Sequence, residues 1–447
     1  MHGLNNYPRI AILGAGLAGL STAVFLSKNK IPVSIYEKTL HGGGKTFSWW
    51  DRQNQSVLDN GQHILMGCYH TTFELLKEIG SFPLLDMSNR LQLHFYRSPS
   101  AKSQIHIKDE DGLLYFFKTL KNIRGINIRE ILRLCWMVKD IFFPKRLERF
   151  WSLEAWLDVY HVPYWVRQIL WQPLILSATN EWLSTASVHD GLNVFRNIFF
   201  GPKKNCDILL PKNSLTQLFV QPCMDYLSQN SVQLCLGQEI HKILLMPNGQ
   251  YKIELKNKIE LVDIIICTIP AHELYDILPD SWQSLEIFQN IRKIMYTSII
   301  TAYLWTSQKI MEQPYLGLLD TELAQFIFDR TDNIAKKGFC YSIVISGSDM
   351  FLSWSSAQLK DQVVRDLKNT IPDFQEKYVQ NIKIVKEAQA THCDQEVFNK
   401  FRPEPGEIMK NFYLAGAWTQ TYLPSTIEGA IYSGKKVADI MLKNCKL

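Results

Sequence analysis

The 447-residue sequence lacks the features that mark several specialised classes of protein. Its nine cysteines are scattered, and no two of them form a Cys-x-x-Cys pair, which argues against a disulfide framework and against a structural zinc site. There are no repeats and no low-complexity segments. No apolar run reaches the roughly 20 residues that a membrane-spanning helix needs. We therefore expect a globular chain with reduced thiols, no metal site and at most a peripheral membrane contact.

An excess of charge of one sign is also missing. The 48 basic and 43 acidic residues leave a formal net charge of +5. Nucleic-acid binding requires a clustered basic face, so no nucleic-acid partner is expected. Hydrophobic residues make up 46% of the chain and charged residues 20%, which is typical of a protein with a large core. The 12 tryptophans fit an apolar ligand, a membrane surface or a well-packed core.

The beginning of the chain has the pattern of a βαβ unit. Residues 9–13 form a short apolar run, residues 17–28 have helical periodicity, and residues 32–36 form a second apolar run. The first residues lead directly into the first strand, so we expect no secretory signal and a cytoplasmic location. A peripheral position on the inner face of the cytoplasmic membrane stays open.

A glycine motif connects the first strand to the helix. Gly14 permits a tight turn, Gly16 lets the backbone approach a pyrophosphate, and Gly19 allows the helix to pack closely on the strand. The helix N-terminus then presents free N–H groups to the phosphates. Glu37, at the end of the second strand, is placed to accept hydrogen bonds from a ribose. The spacing predicts a dinucleotide-binding unit.

A second glycine-rich segment, Gly-Gly-Gly-Lys at residues 42–45, follows shortly after Glu37. It resembles the Gly-Gly-Arg that flavoproteins of the amine-oxidase and phytoene-desaturase kind hold against the pyrophosphate. Lys45 keeps the charge of that arginine but loses its bidentate geometry. A flexible basic loop is the alternative interpretation.

Two more segments carry polar groups beside apolar ones. Residues 59–63 (DNGQH) bring an acid, an amide and an imidazole within five positions. Near the other end, residues 414–419 (LAGAWT) precede a predicted helix, which Ser425 or Thr426 would cap. The N-terminus of that helix is predicted to point at the flavin edge where negative charge collects on reduction.

Taken together, these segments resemble the squalene-associated FAD-dependent desaturases, which are the hydroxysqualene dehydroxylases of hopanoid biosynthesis. The resemblance covers nearly the whole chain and includes DNGQH-x3-GCY at 59–69 and LP-x-TIEGA at 423–430. It also includes WQPL at 171–174, followed by Asn180 and by TAS at 185–187. In one departure, Ala417 stands where the family has an aspartate, so we expect weaker FAD binding or a contact made by the backbone alone.

The resemblance implies an α/β fold of the amine-oxidase type. A discontinuous Rossmann-like FAD-binding domain would comprise residues 1–90, 205–283 and 386–447. An inserted α+β substrate-binding domain would comprise residues 91–204, mainly helical, and 284–385. Within these parts the pattern predicts helices at 214–228 and 427–441 and strands at 232–236, 239–245, 251–255, 263–268, 303–305, 343–345, 351–354 and 412–414.

The resemblance also assigns site residues. Asp59 and His63 are the candidates for a catalytic acid or its orienting partner. The residues expected to contact FAD are Gly14, Gly16, Leu17, Ala18, Gly19, Glu37, Lys38, Gly43, Gly44, Lys45, Gly61, Gln62, His63, Ile240, Gly416, Ala417, Thr426, Ile427 and Glu428.

The implied activity is the FAD-dependent reduction of hydroxysqualene to squalene, with a long apolar isoprenoid as substrate and squalene-pathway enzymes as candidate partners. A carotenoid or phytoene-type desaturase on the same fold is the nearest alternative. An amine oxidase, or a polyprenoid carrier that has lost FAD, is a more distant one. The basic and aromatic segment at residues 129–171 would either rest on an anionic bilayer or pack as an amphipathic helix pair on the core.

Overall fold

The computed structural model describes residues 8–87, 94–97, 150–334, 338–372 and 374–444, together with residues 132, 136, 137, 139, 140 and 147. Its strands are β1 (Ile10–Leu13), β2 (Val33–Glu37), β3 (Ser48–Asp51), β4 (Ser56–Asp59), β5 (Leu65–Met66), β6 (Leu85–Asp86), β7 (Phe95–Tyr96), β8 (Ile208–Pro211), β9 (Gln233–Leu236), β10 (Ile240–Leu245), β11 (Tyr251–Leu255), β12 (Ile259–Val262), β13 (Ile264–Cys267), β14 (Tyr296–Thr306), β15 (Tyr315–Leu318), β16 (Phe326–Asp329), β17 (Phe339–Ser346), β18 (Val379–His392), β19 (Gly406–Met409) and β20 (Phe412–Leu414).

The helices of the described residues are α1 (Leu17–Lys28), α2 (His70–Glu78), α3 (Leu153–Val159), α4 (Tyr164–Val166), α5 (Gln172–Thr179), α6 (Val188–Phe199), α7 (Gln221–Gln229), α8 (Ala271–Ile277), α9 (Asp280–Gln283), α10 (Glu286–Ile291), α11 (Thr331–Ile334), α12 (Ser356–Thr370), α13 (Glu396–Asn399) and α14 (Ile427–Asn444). Short π-helical segments at Arg167–Trp171 and Thr216–Val220 lead into α5 and α7. Within this described part, no helix is both long and apolar enough to cross a membrane.

The first large sheet has the order β19-β20-β13-β1-β2-β9, and all of its strands are parallel except β19. Strand β1 is apolar throughout because both of its faces are buried. Ile10 and Ile12 pack into a core with α1 and α14, whereas Ala11 and Leu13 pack on the other face with β10–β12 and α8–α10. Parallel strands covered on both faces are continuous apolar runs rather than alternating ones.

The second large sheet has the order β18-β14-β17-β16-β15-β7, and it is antiparallel except for the pairing of β7 with β15. One face packs on α12 through Leu359, Val363 and Leu367. Ser355 and Gln358 form a capping box at the start of that helix. On the other face, Phe328 belongs to the core built around α3, α5 and α6.

The α/β fold class expected from the sequence is confirmed, and α1, β11 and β20 begin and end where the pattern predicts. The predicted strand at residues 351–354 is wrong. Phe351 ends a short 3₁₀ turn, Asp349–Phe351, and its ring lies 5.1 Å from that of Trp354. These apolar side chains pack at the turn before α12 and take no part in a sheet.

Strand β18 was not predicted, and it spans the expected domain boundary at residue 386. Most of its residues are partly buried or exposed because β18 is an edge strand, which pairs with β14 alone among the described strands. Since β14 and β18 pair as far as His392, the second sheet ends there rather than at residue 385. The remaining domain boundaries stay predictions. Most of the predicted helical part between residues 98 and 149 lies outside the described residues.

Candidate functional site

A cavity of about 780 Å³ lies between the two large sheets. One wall is formed by the turns that follow β1, β2 and β13, and the other by side chains of β14, β16, β17 and β18. The apolar residues of the lining include Ile64, Met66, Leu174, Leu176, Ile198, Ile299, Phe326, Phe328 and Val344.

The glycine turn after β1 opens onto this cavity. Gly14 has a φ of 101° and donates its N–H to the Tyr36 carbonyl (2.8 Å), so the turn is held against β2. A Cβ atom added to Gly16 would meet no atom within 4 Å. Helix α1 has neither a side-chain cap nor an acid in its first turn. Its first N–H groups are therefore available to an anion.

Gly19 does not line the cavity, and its role is packing. A Cβ atom at this position would lie 2.0 Å from the Gly14 carbonyl oxygen and 2.8 Å from Thr268 Oγ1. Only glycine lets α1 approach the turn this closely. The sequence assigned this packing role to Gly19, but the direct FAD contact expected of it has no support from its position.

Glu37 lies at the predicted ribose position and is buried on the cavity wall. Its Oε2 accepts the N–H of Ala15 (2.9 Å), and its Oε1 accepts the N–H and the hydroxyl of Thr39 (2.9 Å each). A carboxylate has about four acceptor sites, so Glu37 keeps capacity for a further hydroxyl. Lys38, whose Nζ is 2.6 Å from Glu273 Oε2, and Ile240 line the same region.

The second glycine segment packs directly on the first. Gly43, at a φ of 105°, donates its N–H to the Ala15 carbonyl (2.7 Å), and Gly44 follows on the cavity wall. Lys45 Nζ donates to the carbonyls of Gln389 and Ala390 in β18. Lys45 is exposed and borders the cavity, and desolvation by the neighbouring protein atoms lowers the pKa of its ammonium group. Lys45 thus links the two sheets beside the place predicted for the pyrophosphate.

Asp59 lies behind the cavity wall. Its Oδ1 accepts from Ser48 Oγ (2.6 Å) and the Leu215 N–H (2.9 Å), and its Oδ2 lies 3.1 Å from Arg330 Nη2. Both members of this ion pair are about 5% exposed or less. Asp59 is not among the residues that line the cavity. The carboxylate therefore has a structural role. It connects the end of β4 to Arg330, which follows β16, and it does not face a substrate.

His63 does line the cavity, together with Gly61 and Gln62. Its Nδ1 is 3.1 Å from the Gly61 carbonyl oxygen, which can only accept, so the hydrogen of a neutral ring is on Nδ1. Burial lowers the pKa of His63 and favours that neutral ring. Nε2 is then an acceptor, suited to orienting a hydroxyl group but not to protonating it. The catalytic role of His63 stays a prediction.

The C-terminal segment completes the wall. The Gly416 N–H donates to Ser433 Oγ (2.8 Å), and Ala417 beside it offers no carboxylate. Thr426 Oγ1 accepts the N–H of Gly429 (3.3 Å), so Thr426 rather than Ser425 caps α14. Thr426 and Ile427 line the cavity at this helix N-terminus, and their contact with FAD stays a prediction.

Glu428 has a different partner from the one expected. Its carboxylate accepts the N–H groups of Thr71 (2.9 Å) and Thr72 (2.8 Å) and the Thr72 hydroxyl (2.7 Å). It therefore caps the N-terminus of α2 and does not line the cavity. The assignment of Glu428 to FAD contact is corrected to this capping role, because its carboxylate is directed at α2 and not at the cavity.

The motif at residues 171–180 divides between core and cavity. Trp171 is buried and stacks on Phe195 at 4.9 Å, so it belongs to the core. Asn180 lines the cavity, where its Nδ2 donates to Thr297 Oγ1 (2.9 Å) and its Oδ1 accepts the Gly347 N–H (2.7 Å). This amide ties the end of α5 to β14 and β17.

Sequence reasoning missed three histidines on the cavity wall, which are His41, His272 and His392. His392 is buried, and its Nε2 is 2.6 Å from Asp394 Oδ1, which is 3.4 Å from Arg402 Nη1. Burial, with the positive charges of Arg402 and Lys45, lowers the pKa of His392 well below its ordinary value. The sequence did contain a signal for His392. It forms a pair of ionisable residues with Asp394, just after the segment at 379–391 and before the Gly416 segment.

The cavity fits a dinucleotide flavin. The decisive observation is Gly16, where the space beside the backbone is open although the flanking turn is tightly packed. An anion placed there meets the N-terminus of α1, and Glu37 lies at the end of the next strand for a ribose. The N-terminus of α14 and the apolar wall leave room for the ring system and for an apolar substrate.

Comparison with known proteins agrees with this geometry. A family model for flavin containing amine oxidoreductase matches residues 17–442. The chain is 24% identical to the hydroxysqualene dehydroxylase of Rhodopseudomonas palustris, over 97% of this chain and 98% of that relative. It is also 23% identical to the zeta-carotene desaturase of a Synechocystis species, over 98% of this chain and 97% of that relative. The structure of cyclohexylamine oxidase from Brevibacterium oxydans has a TM-score of 0.72 at 12% identity and covers 99% of this chain and 100% of its own.

The matched residues include the second large sheet, every strand of the first except β1, and nearly all of the cavity wall. The resemblance to hydroxysqualene dehydroxylases expected from the motifs is consistent with the first of these relatives. The FAD cofactor expected from the sequence is confirmed by the family. The chain belongs to the flavin containing amine oxidoreductase family and is an FAD-dependent oxidoreductase.

Proposed function

We propose that this protein removes the hydroxyl group of hydroxysqualene by FAD-dependent reduction and releases squalene. The observation that carries the proposal is the apolar wall of the cavity, formed in large part by Leu174, Ile198, Phe326, Phe328 and Val344. This wall begins beside the predicted flavin site. Such a lining suits a long isoprenoid, and two relatives that match nearly the full chain are named for reactions of isoprenoids.

The residues of the chain have separate tasks in this proposal. The N-terminus of α1 would hold the pyrophosphate, Glu37 the ribose, and the N-terminus of α14, at Thr426 and Ile427, the flavin ring edge. Reduced FAD, when bound, supplies the hydride. Loss of the hydroxyl leaves an allylic cation, which the apolar wall protects from water. The rings of Phe326 and Phe328 present faces that stabilise positive charge.

The proposal is tested by anaerobic incubation of the FAD-loaded protein with hydroxysqualene and a chemical reductant, followed by mass detection of squalene. We expect squalene only when protein, FAD and reductant are all present, because the cation needs both a shielded cavity and a hydride donor. The control without FAD should give none. An absence of squalene with flavin bound and reduced would contradict the proposal.

The second candidate is a polyprenoid desaturase, favoured by the likeness to a zeta-carotene desaturase. It would use the same cavity with the opposite direction of electron flow, from the isoprenoid to oxidised FAD. Phytoene and its thirty-carbon analogue distinguish the two candidates. New visible chromophores from either compound would support the desaturase.

We also propose a peripheral contact with the inner face of the cytoplasmic membrane, which would give access to a lipid-dissolved substrate. Trp151 and Tyr164 are each 72% exposed, and Trp136 is 65% exposed with Lys139 Nζ 3.6 Å from its ring centroid. Exposed aromatic rings beside basic groups suit a lipid interface. The other basic residues predicted for this surface, at positions 145, 146 and 149, lie outside the described part of the chain.

Flotation with liposomes tests this contact. We expect the protein to float with anionic vesicles and to do so less with neutral ones, and we expect Trp151→Ser with Tyr164→Ser to weaken binding. Because both rings are largely exposed and bury little surface, the double variant should keep the melting temperature of the native protein. If the native protein stays in the unbound fraction with anionic vesicles, as the variant does, the proposed membrane contact is contradicted. Contact with squalene-pathway enzymes stays a prediction.

A further inference from the structure

We propose that Arg402 is a positioning residue for FAD, and that it holds the turn at residues 416–419 so that backbone N–H groups of this turn bind the cofactor. The contacts that support this role are hydrogen bonds within the protein. The role concerns FAD alone and is independent of which isoprenoid reacts.

The turn at residues 416–419 follows β20. Strands β1, β13 and β20 are parallel, so this turn and the glycine turn after β1 lie at the same edge of the first sheet. Gly416, Ala417 and Trp418 line the cavity. The Gly416 carbonyl accepts the N–H (3.0 Å) and the hydroxyl (2.7 Å) of Thr419, which closes the turn. A cofactor bound along this edge therefore meets the turn.

Two backbone donors of the turn are unused within the protein. The N–H groups of Ala417 and Trp418 have no acceptor among the described residues. Ala417 has no polar side chain, and the indole Nε1 of Trp418 already donates to the Ile269 carbonyl (3.1 Å). Successive backbone N–H groups are suited to the oxygen atoms of an anionic cofactor. We infer that these two N–H groups supply the contact with FAD that the side chain at 417 cannot make.

Arg402 binds the same turn through its carbonyl groups. Its Nε donates to the Trp418 carbonyl (3.2 Å), and its Nη2 donates to the Thr419 carbonyl (2.7 Å). On its other side, Nη1 donates to Asn399 Oδ1 (2.9 Å) and lies 3.4 Å from Asp394 Oδ1. The rigid, planar guanidinium group can span both carbonyls at once. The turn is thus anchored by its carbonyl groups, and the two free N–H groups are not involved in the anchor.

The residues that hold Arg402 come from other parts of the fold. Asp394 follows β18, the edge strand of the second sheet, and Asn399 ends α13. The Nδ2 of Asn399 donates to Asp190 Oδ2 near the start of α6. These four side chains belong to residues that are 8% exposed or less. A buried, hydrogen-bonded network of this kind is rigid, so the turn is held in one position before FAD binds.

Arg402→Lys tests the role. Lysine keeps the positive charge beside Asp394, but its single ammonium group lacks the fork that spans the two carbonyls. We expect FAD affinity to fall by about 10-fold or more, the effect of losing a hydrogen bond to a charged group. Absorbance titration of the apoprotein, well below its melting temperature, measures the affinity. If Arg402 served only as a counter-charge for Asp394, lysine would keep the native affinity, and that result would overturn the proposal.

Asp190→Asn is the matched control. It removes a carboxyl group from the same buried cluster, but asparagine still offers an oxygen to Asn399, and Asp190 makes no hydrogen bond to the turn. We expect its FAD affinity to stay within about twofold of the native value, because the substituted group shares no partner with the turn. An equal loss of affinity in Arg402→Lys and Asp190→Asn would also overturn the proposal.

A measurement on the native chain keeps the test decisive if Arg402→Lys fails to fold. In ¹⁵N-alanine-labelled protein, the amide resonance that is absent from Ala417→Gly belongs to Ala417. We expect its hydrogen to shift to higher frequency when FAD binds, because the N–H gains an acceptor. An Ala417 resonance that does not move at saturating FAD would overturn the proposal. Since neither experiment uses hydroxysqualene, a failure of the dehydroxylase function would leave both results unchanged.

Discussion

Replacing Asp59 with asparagine is expected to lower the free energy of unfolding by about 3–5 kcal/mol. The substitution would leave Arg330, which is 4% exposed at its side chain, buried without a counter-charge. Asparagine still offers an oxygen to Ser48 and Leu215, so the loss isolates the charge of the pair. Urea unfolding of the apoprotein, followed by tryptophan fluorescence, measures the effect.

The double variant Asp59→Asn with Arg330→Met is the control. Because it removes both charges, it should be more stable than Asp59→Asn alone. The DNGQH motif suggested a catalytic acid at this position, and that alternative makes the opposite prediction. Native unfolding energy combined with a loss of squalene formation would show that Asp59 acts in catalysis.

Replacing Gly19 with alanine is expected to reduce FAD affinity by about 100-fold or more, which corresponds to about 2.8 kcal/mol. The added Cβ would lie 2.0 Å from the Gly14 carbonyl oxygen, so α1 must move away from the turn that it supports. The N–H groups of its first turn would move with it. Absorbance titration of FAD into the apoprotein measures the affinity, and the melting temperature of the apoprotein should also fall.

Gly16→Ala is the matched substitution for this experiment. A Cβ at Gly16 meets no atom within 4 Å, so the apoprotein should keep its melting temperature. Its methyl group would nevertheless occupy the space assigned to the pyrophosphate, and FAD affinity should fall. Native FAD affinity in Gly16→Ala would contradict the placement of the phosphates at this turn.

The parts of the site that the sequence predicted are those whose partners are close along the chain. The turn at Gly14, the helix that follows and Glu37 lie within one βαβ unit, whose apolar pattern and glycine spacing are local. Lys45 and the Gly416 segment were found because each adjoins a glycine-rich turn. Local patterns are sufficient for such elements because their physical requirements are local.

The errors come from partners that are distant in sequence. Asp59 meets Arg330 across 271 positions, and Glu428 meets Thr72 across 356. A carboxylate in a motif gives no sign of whether it faces a ligand or a buried arginine. Exposure to the cavity is decided by how the two sheets pack, which no local pattern specifies.

The missed strand β18 illustrates a second difficulty. Its many charged and polar residues are typical of a surface segment, and most of them do lie at a sheet edge. Apart from Ile382 in its middle, only its last residues, Thr391 and His392, are buried. This end of β18 is buried because Thr391 and His392 pair with β14 and because His392 contacts Ser425, just before α14.

The most direct test of the central claim is the oxidation of the flavin by the substrate. The FAD-loaded protein is reduced chemically, freed of excess reductant, and mixed with hydroxysqualene without oxygen. We expect the visible absorbance of oxidised flavin to return, with one squalene formed for each flavin oxidised. A flavin that stays reduced in the presence of hydroxysqualene, while oxidised flavin is bleached by a polyprenoid hydrocarbon, would contradict the reductive function and establish the desaturase.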